Sequence, residues 1–297
     1  MRMNSFIPSL LFFTLCLVAC DSPTHNDSPT TEDHYFGLKP PGLTPEEFAP
    51  QVLSLDGLFA GGTFSPDMKA FYFSKRDGEE RASFVIRYEN NSWGEVVETD
   101  IQWPLFSADG NTMYVEKEYR KRTDDGWSAP TALGEFLDEQ AHGLTVSANG
   151  TFYFPFFKKE DNGQGNLGYS RLVNGKYEKP IKLGPEINTG EYIAHPCIAP
   201  DESFLMWDVE REDNYGNSQP DIYISFKDEN GSWGPAINMG DKINTPAYEQ
   251  SPQLTPDGNY LFFTRADWAT GQDGSREWVS KSYWVDAKII EHLRPKS

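Results

Sequence analysis

One short phrase recurs five times after residue 45, and it limits the possible fold more than any other feature of the chain. Each copy starts with an apolar residue. The next positions are Ser, Thr or Ala, then Pro or Ala, then Asp or Asn, and finally a turn residue. The copies are Phe64–Met68, Phe106–Gly110, Val146–Gly150, Ile198–Glu202 and Leu254–Gly258. Their starts lie 42, 40, 52 and 56 residues apart. This period fits one blade of a β-propeller and is too long for most helical repeats.

Each phrase predicts a tight turn between two antiparallel strands. Pro sets φ for an early turn position, Asp or Asn bonds back to the turn backbone, and Gly accepts a positive φ. An apolar triplet follows every turn. The triplets are Phe71–Phe73, Met113–Val115, Tyr153–Pro155, Leu205–Trp207 and Leu261–Phe263. Continuous apolar runs of this length are typical of strands that are packed on both faces, as between neighbouring blades.

A second phrase, an aromatic residue followed by turn residues and then β-prone residues, ends most units. Its copies begin at Trp93, Trp127, Tyr177 and Trp233. No copy follows the fifth unit, and the missing member lies upstream at Phe48–Leu53. We therefore predict an all-β chain with a single five-bladed β-propeller that is closed by an N-terminal strand, because closure removes exposed sheet edges. A sixth blade within the long fourth and fifth units is the alternative.

The fourth unit carries the fullest version of the repeat. Its further elements are Asp221–Tyr223, Asn230–Trp233 and Ile243–Thr245, and Ile187–Thr189 repeats the last one. These residues resemble the TolB-like, WD40-like β-propeller repeat family over about residues 45 to 290. The resemblance implies the fold and leaves the function open, because propellers host many activities. The second unit departs from the pattern at Glu116–Gly126, which is short and charged, and it predicts an incomplete blade.

The N-terminus predicts a secreted lipoprotein. Arg2 precedes the apolar run Phe6–Val18, which is too short to span a bilayer. The run ends in Leu17-Val18-Ala19-Cys20, which resembles a bacterial lipobox and implies cleavage before Cys20 and acylation there. We expect a signal peptide at 1–19, a lipidated Cys20 with a flexible tether at 20–44, and the propeller at 45–297. The protein would face the periplasm from the inner or the outer membrane, and an ordinary signal peptide is the alternative.

The charge of the mature chain excludes some partners. Loss of Arg2 leaves 25 Lys and Arg against 45 Asp and Glu. A surface this acidic argues against nucleic acid and against anionic lipid headgroups. Cys197 has no partner once Cys16 leaves and Cys20 is acylated, so no internal disulfide is expected. The sequence predicts no cofactor and no metal site, and a monomer is expected.

Candidate ligand-binding residues lie where outer strands lead into the next inner strands, around one mouth of the channel. They are His142, Glu191, His195 and Glu249, with Asp138 and Glu139 nearby. Carboxylates and imidazoles that converge on an axis can bind a cation or a polar ligand, or transfer protons. Aligning the units matches Gly143 to His195, so the two histidines are offset by one position. A solvated acidic rim is the alternative.

Two charged segments have simpler interpretations. Asp208–Asn214 offers oxygen ligands but lacks the pattern of a calcium loop, and Asp267–Arg276 reads as a long surface loop. No catalytic motif is present: the chain has no Gly-x-Ser-x-Gly, His-Glu-x-x-His, phosphate-binding glycine loop or Cys-x-x-Cys. Most of the aromatic residues are expected in the core, with a carbohydrate platform as the alternative.

Three functions follow as hypotheses. The first is a non-catalytic envelope lipoprotein that binds a protein or glycan partner in the periplasm. The second is a glycoside hydrolase or lyase that uses channel carboxylates, which the five-blade count and the acidic axis loops suggest. The third is a sensor of a cation or a small metabolite at the channel mouth.

Overall fold

Five antiparallel sheets are arranged around one axis in the computed structural model, so the chain is a five-bladed β-propeller. The structure describes residues 33–53, 58–77, 79–133, 143–156, 165–210, 219–270 and 274–296. The predicted fold class is confirmed, and the described residues form no sixth blade. None of the helices in these ranges is long and apolar enough to cross a membrane.

Blades 1 to 4 each run from an inner strand at the axis to an outer strand at the rim. The N-terminal elements before them are β1 (Glu46–Glu47) and α1 (Pro50–Leu53). Blade 1 is β2 (Leu58–Phe64), β3 (Ala70–Asp77), β4 (Glu80–Glu89), β5 (Ser92–Trp93) and β6 (Val97–Thr99). Blade 2 is β7 (Leu105–Phe106), β8 (Thr112–Val115), β9 (Glu118–Thr123), β10 (Gly126–Trp127) and β11 (Thr131–Ala132). Blade 3 is β12 (Thr145–Val146), β13 (Phe152–Phe156), β14 (Asn166–Ser170), β15 (Leu172–Val173), β16 (Lys176–Tyr177) and β17 (Ile181–Lys182). Blade 4 is β18 (Glu191–Ile198), β19 (Phe204–Glu210), β20 (Asp221–Phe226) and β21 (Ile237–Asn238).

Blade 5 takes its outer strand from the N-terminus, as predicted. It consists of β22 (Tyr248–Leu254), β23 (Tyr260–Thr270) and β24 (Arg276–Asp286), and β1 pairs antiparallel with β24. The position of the closing strand differs from the prediction. Strand β1 lies at Glu46–Glu47, and the predicted stretch Phe48–Leu53 turns into the short helix α1 after Phe48, whose N–H still donates to Ser282 O at 2.8 Å.

All five turn phrases join an inner strand to the second strand of its blade, as predicted. In four of them a Ser or Thr hydroxyl donates to the Asp or Asn two residues later, at 2.5–2.8 Å. The phrases therefore lie together at one end of the disc, which we call the turn face. The opposite end, where the inner strands begin and the second strands end, is the mouth face.

Two predictions about single segments are wrong. The second blade is complete, because β9 pairs with both β8 and β11 despite its charged sequence. The segment Asp267–Arg276 is not simply a surface loop, because β23 and β24 stay paired up to Thr270↔Arg276. Their last four pairs lie beyond Tyr248↔Ala266, where β22 begins, so this hairpin projects from the mouth face by about 13 Å at 3.3 Å per residue. We call it the arm.

Aromatic side chains from the N-terminal segment seal the seam between blades 5 and 1. Phe48 is buried against Phe262 and Trp284, with ring centroids 4.6 and 5.2 Å away. Tyr35 is also fully buried, packs edge-on against Phe64, and donates from its hydroxyl to Asp257 at 2.9 Å. The packed domain therefore begins by Tyr35, about ten residues before the predicted boundary at 45.

Candidate functional site

A left-handed residue recurs in or just before the inner strand of every blade, three positions before the start of each turn phrase. These residues are Gly61 (φ 106°), Trp103 (φ 42°), Gly143 (φ 70°), His195 (φ 42°) and Ser251 (φ 56°). Strands β2, β18 and β22 each contain a register shift next to this position, which is a β-bulge. We call the five positions the bulge ring.

Neighbouring members of the bulge ring approach each other. A Cβ added at Gly61 would lie 3.9 Å from Trp103 Nε1, and one added at Gly143 would lie 3.7 Å from His195 Cα. The ring therefore surrounds the axis, and the non-glycine members bring side chains there. A non-glycine residue at positive φ costs roughly 1–3 kcal/mol, and such strain is concentrated at functional sites.

His195 is bonded to a buried carboxylate. Its Nδ1 lies 2.9 and 3.1 Å from the two oxygens of Asp208, and the Ser251 N–H donates to the same carboxylate at 2.8 Å. Because an ionised carboxylate only accepts, Nδ1 carries the proton and Nε2 is left for other contacts. The His195 side chain is 45% exposed, whereas Asp208 is buried. This arrangement can hold a polar ligand or transfer a proton at Nε2.

Two opposing effects set the pKa of His195. The atoms packed around the ring lower it, because they disfavour the charged form, while the charge and the hydrogen bond of Asp208 raise it by more. The net pKa is raised from the ordinary value of 6.5. Asp208 therefore both orients the ring and stabilises its protonated form.

Glu249 is a structural residue in this conformation. It is fully buried, its Oε1 accepts from Arg265 Nε at 2.6 Å and from Thr245 Oγ1 at 2.6 Å, and its Oε2 accepts from Thr245 N–H at 3.0 Å. Burial raises the pKa of Glu249, and the hydrogen bonds from Thr245 and Arg265 oppose that rise. Hydrogen bonds from Thr245 and Arg265 thus already use both oxygens of the Glu249 carboxylate.

Glu191 lies at the mouth, opposite another carboxylate. It is exposed at the start of β18 and pairs across the strands with Glu210, whose pKa is raised by burial and by the charge of Glu191. His142 lies outside the described residues. His195 and Glu249 form their hydrogen bonds with other residues and not with each other, so the predicted site is not one hydrogen-bonded cluster. The role of these four residues as ligand-binding groups stays a prediction.

The mouth face carries a feature that sequence reasoning missed. The described residues include three exposed large aromatic side chains, and all three lie at this face: Trp103 (43% exposed), Tyr192 (55%) and Trp268 (52%). Arg81 lies over the Trp103 ring at 4.3 Å, and Arg276 lies over the Trp268 ring at 5.2 Å. Trp268 belongs to the arm, where its ring meets Trp278 edge-on at 5.3 Å. No local motif marks these residues, and only their strand-end positions could have suggested exposure.

Within the described ranges no group of three or more His, Cys, Asp or Glu side chains is placed to hold a metal ion. Cys197, the one cysteine in these ranges, is buried, and burial raises the pKa of its thiol to about 11. A thiol with so high a pKa is a poor nucleophile at neutral pH.

The sequence matches no protein-family model, and no curated protein is similar to it. Similar solved structures include a protein designated TolB from Agrobacterium tumefaciens, with 14% identity, a TM-score of 0.44, and coverage of 76% of this chain and 83% of that one. A luciferin-regenerating enzyme has 10% identity, a TM-score of 0.46, and coverage of 82% and 94%. A chain of a nidogen–laminin complex has 11% identity, a TM-score of 0.42, and coverage of 77% and 84%. These likenesses concern the fold alone.

Proposed function

We propose that this protein is a non-catalytic, lipid-anchored member of the TolB-like propellers that binds a periplasmic protein or glycan with its mouth face. One observation carries the proposal. The exposed aromatic residues Trp103, Tyr192 and Trp268 come from three different blades and all lie at the mouth face. The anchor is the acylated Cys20 that the lipobox resemblance implies, and it would place the domain in the cell envelope.

The chemistry of these side chains supports binding. Exposed Trp and Tyr rings present large, rigid apolar faces to water, and together with Arg they contribute most to the affinity of many interfaces. Arg81 and Arg276, stacked on two of the rings, add hydrogen-bond donors beside the apolar surface. The same aromatic faces can stack on sugar rings, so the proposal includes both partner classes.

Two of the channel carboxylates are held in internal contacts. Asp208 accepts from His195 and Ser251, and Glu249 is enclosed with Arg265 and Thr245. Free carboxyl groups at a fixed separation are what glycoside hydrolysis needs. This difference supports binding over hydrolysis at the axis.

A glycoside hydrolase or lyase remains the second candidate, and one observation favours it. Glu191 and Glu210 are cross-strand neighbours, and the pKa of Glu210 is raised, as expected for the acid of a catalytic pair. Glycan cleavage that is lost in Glu210→Gln would replace the proposed binding function with this one.

The experiment compares two faces of the same molecule. Mature protein is used to capture partners from envelope extracts and is applied to a glycan array. The test variant is Trp103→Ala/Tyr192→Ala/Trp268→Ala. The control is Leu172→Ser/Val173→Ser, which removes two exposed apolar side chains from hairpin β15–β16 on the turn face. We expect the control to keep wild-type affinity.

In the test variant, affinity should fall by about tenfold or more, since each 1.4 kcal/mol is a factor of ten and two or more aromatic anchors are lost. An identified partner that binds the triple variant as tightly as the wild type would contradict the proposal. So would a partner that is lost only from the turn-face variant.

A further inference from the structure

The chain enters the domain at the turn face. Tyr35 packs against Phe64, the first residue of the first turn phrase, and against Tyr260, which follows the fifth phrase. Its hydroxyl donates to Asp257 inside the fifth phrase. Gly42 O accepts from Asp286 N–H, at the turn-face end of β24. The segment 33–42 is therefore fixed beneath the disc, at the end opposite the channel mouth.

The closing strand then runs from the turn face towards the mouth face. Glu46 pairs with Trp284 and Glu47 with Tyr283, antiparallel to β24, which itself descends to the turn face. Lys281 Nζ donates to Glu47 Oε2 at 2.7 Å, and Phe48 follows in the buried seam. These contacts show that the chain enters the domain from the turn-face side.

Cys20 can reach only a limited distance from that entry point. Thirteen residue steps separate Cys20 from Asp33, and a fully extended chain covers at most about 45 Å over that length. An inner strand of eight residues such as β18 gives the disc a height of roughly 26 Å, and the arm adds about 13 Å. Tyr35 lies beneath the second and third strands of blade 5, where it contacts Tyr260 and Trp284, so a route around the outer strand β1 adds roughly 10 Å at about 4.8 Å per strand.

The route to the level of the arm tip is thus about 49 Å, longer than the stretched segment allows. We propose that a lipid anchor at Cys20 holds the turn face towards the membrane, so that the mouth face and its arm point away from it. The partner then approaches from the periplasmic side and is a macromolecule there, not the lipid of the anchoring membrane. This inference rests on the proposed lipid anchor and on the proposed role of the mouth face.

The test measures the height of each face above the bilayer. Acylated mature protein is reconstituted into vesicles whose headgroups carry an energy-transfer acceptor. A donor dye is attached at Lys176→Cys, on the turn-face hairpin, or at Glu277→Cys, on the arm; both positions are exposed. Cys197 stays unlabelled because it is buried with a thiol pKa of about 11.

We expect transfer from position 176 to exceed transfer from position 277 by about twofold or more, since the two sites differ in height by roughly 40 Å. Equal transfer, or stronger transfer from the arm, would overturn the proposed orientation. The anchor is tested separately by the mass of the cellular protein. If Cys20 is not acylated, the lipoprotein proposal and the orientation that rests on it both fail, whereas equal transfer from an acylated protein overturns the orientation alone.

Discussion

At the scale of single residues, His195 and Asp208 make the stability of the folded protein depend on pH. The pKa of His195 is raised in the folded protein, so folding favours the protonated ring. This contribution to stability is complete below about pH 6.5, the ordinary histidine value, and is lost as pH rises through the folded pKa. The other charged groups on the strands packed against His195 are Glu210 on β19 and Glu249 on β22, and Glu249 is paired with Arg265.

We therefore expect the free energy of unfolding of the wild type, relative to that of His195→Gln, to decrease as pH rises from about 6.5 through the raised pKa of His195. Urea unfolding at several pH values measures both proteins, and the variant corrects for every other titrating group. A difference that stays constant over this range, or grows, would show that Asp208 does not stabilise the imidazolium. Because the ring is partly exposed to water, the effect should be modest.

The sequence could select His195 but not its partner. His195 stands in a strand-like run before a turn phrase, and the alignment offset with Gly143 already distinguishes it from His142. Asp208, thirteen residues later, was grouped with a charged segment, because its contact with His195 depends on the bulge in β18. Glu249 was predicted to face the channel, and the structure buries it against Arg265, a residue that no spacing rule connects to it.

At the scale of the element, the bulge ring contains positions that require glycine and positions that accept another residue despite backbone strain. Gly61 has φ 106°, which side chains rarely adopt, and a Cβ there would contact Trp103. Gly61→Ala should therefore destabilise the protein by about 1–2 kcal/mol. At Ser251 only the backbone N–H is needed, for Asp208, and relief of its left-handed strain offsets the greater freedom of glycine in the unfolded chain.

Ser251→Gly should consequently change stability by less than about 0.5 kcal/mol. Urea unfolding of both variants against the wild type measures the contrast, and each variant is the control of the other. Equal destabilisation by the two changes would mean that backbone conformation does not determine which residue types the ring positions accept.

The same elements show what a repeat can and cannot predict. The turn phrases and apolar triplets place the inner hairpins correctly, because local turn chemistry and continuous apolar runs determine both. The left-handed conformation escapes prediction at Trp103, His195 and Ser251, since none of these residue types signals positive φ in a sequence. The arm was missed because Asp267–Arg276 is mostly polar and contains glycine, although Trp268 and Trp278 meet across its two strands.

At the scale of the whole molecule, the ring is closed by non-covalent contacts between distant parts of the chain. The missing outer phrase upstream of the repeats allowed closure to be predicted from the sequence. The additional contribution of Tyr35 could not be predicted, because its partner Asp257 lies 222 residues away and polar residues precede it in the chain. The seam between blades 5 and 1 is therefore where the propeller depends most on one short segment.

A chain that begins at residue 50 should lose this closure. It lacks β1 and the buried Tyr35 and Phe48, each worth about 3–5 kcal/mol as a large core aromatic, against a total stability of roughly 5–15 kcal/mol. We expect it to bind a hydrophobic dye and to unfold without a cooperative urea transition. A synthetic peptide of residues 33–49, added in trans, should pair with β24 and restore the transition by strand addition. The same peptide with Tyr35→Ala and Phe48→Ala should not, because backbone pairing alone leaves the seam around Phe262 and Trp284 open. Closure by this segment would be disproved by a shortened chain with the urea midpoint of the full mature protein.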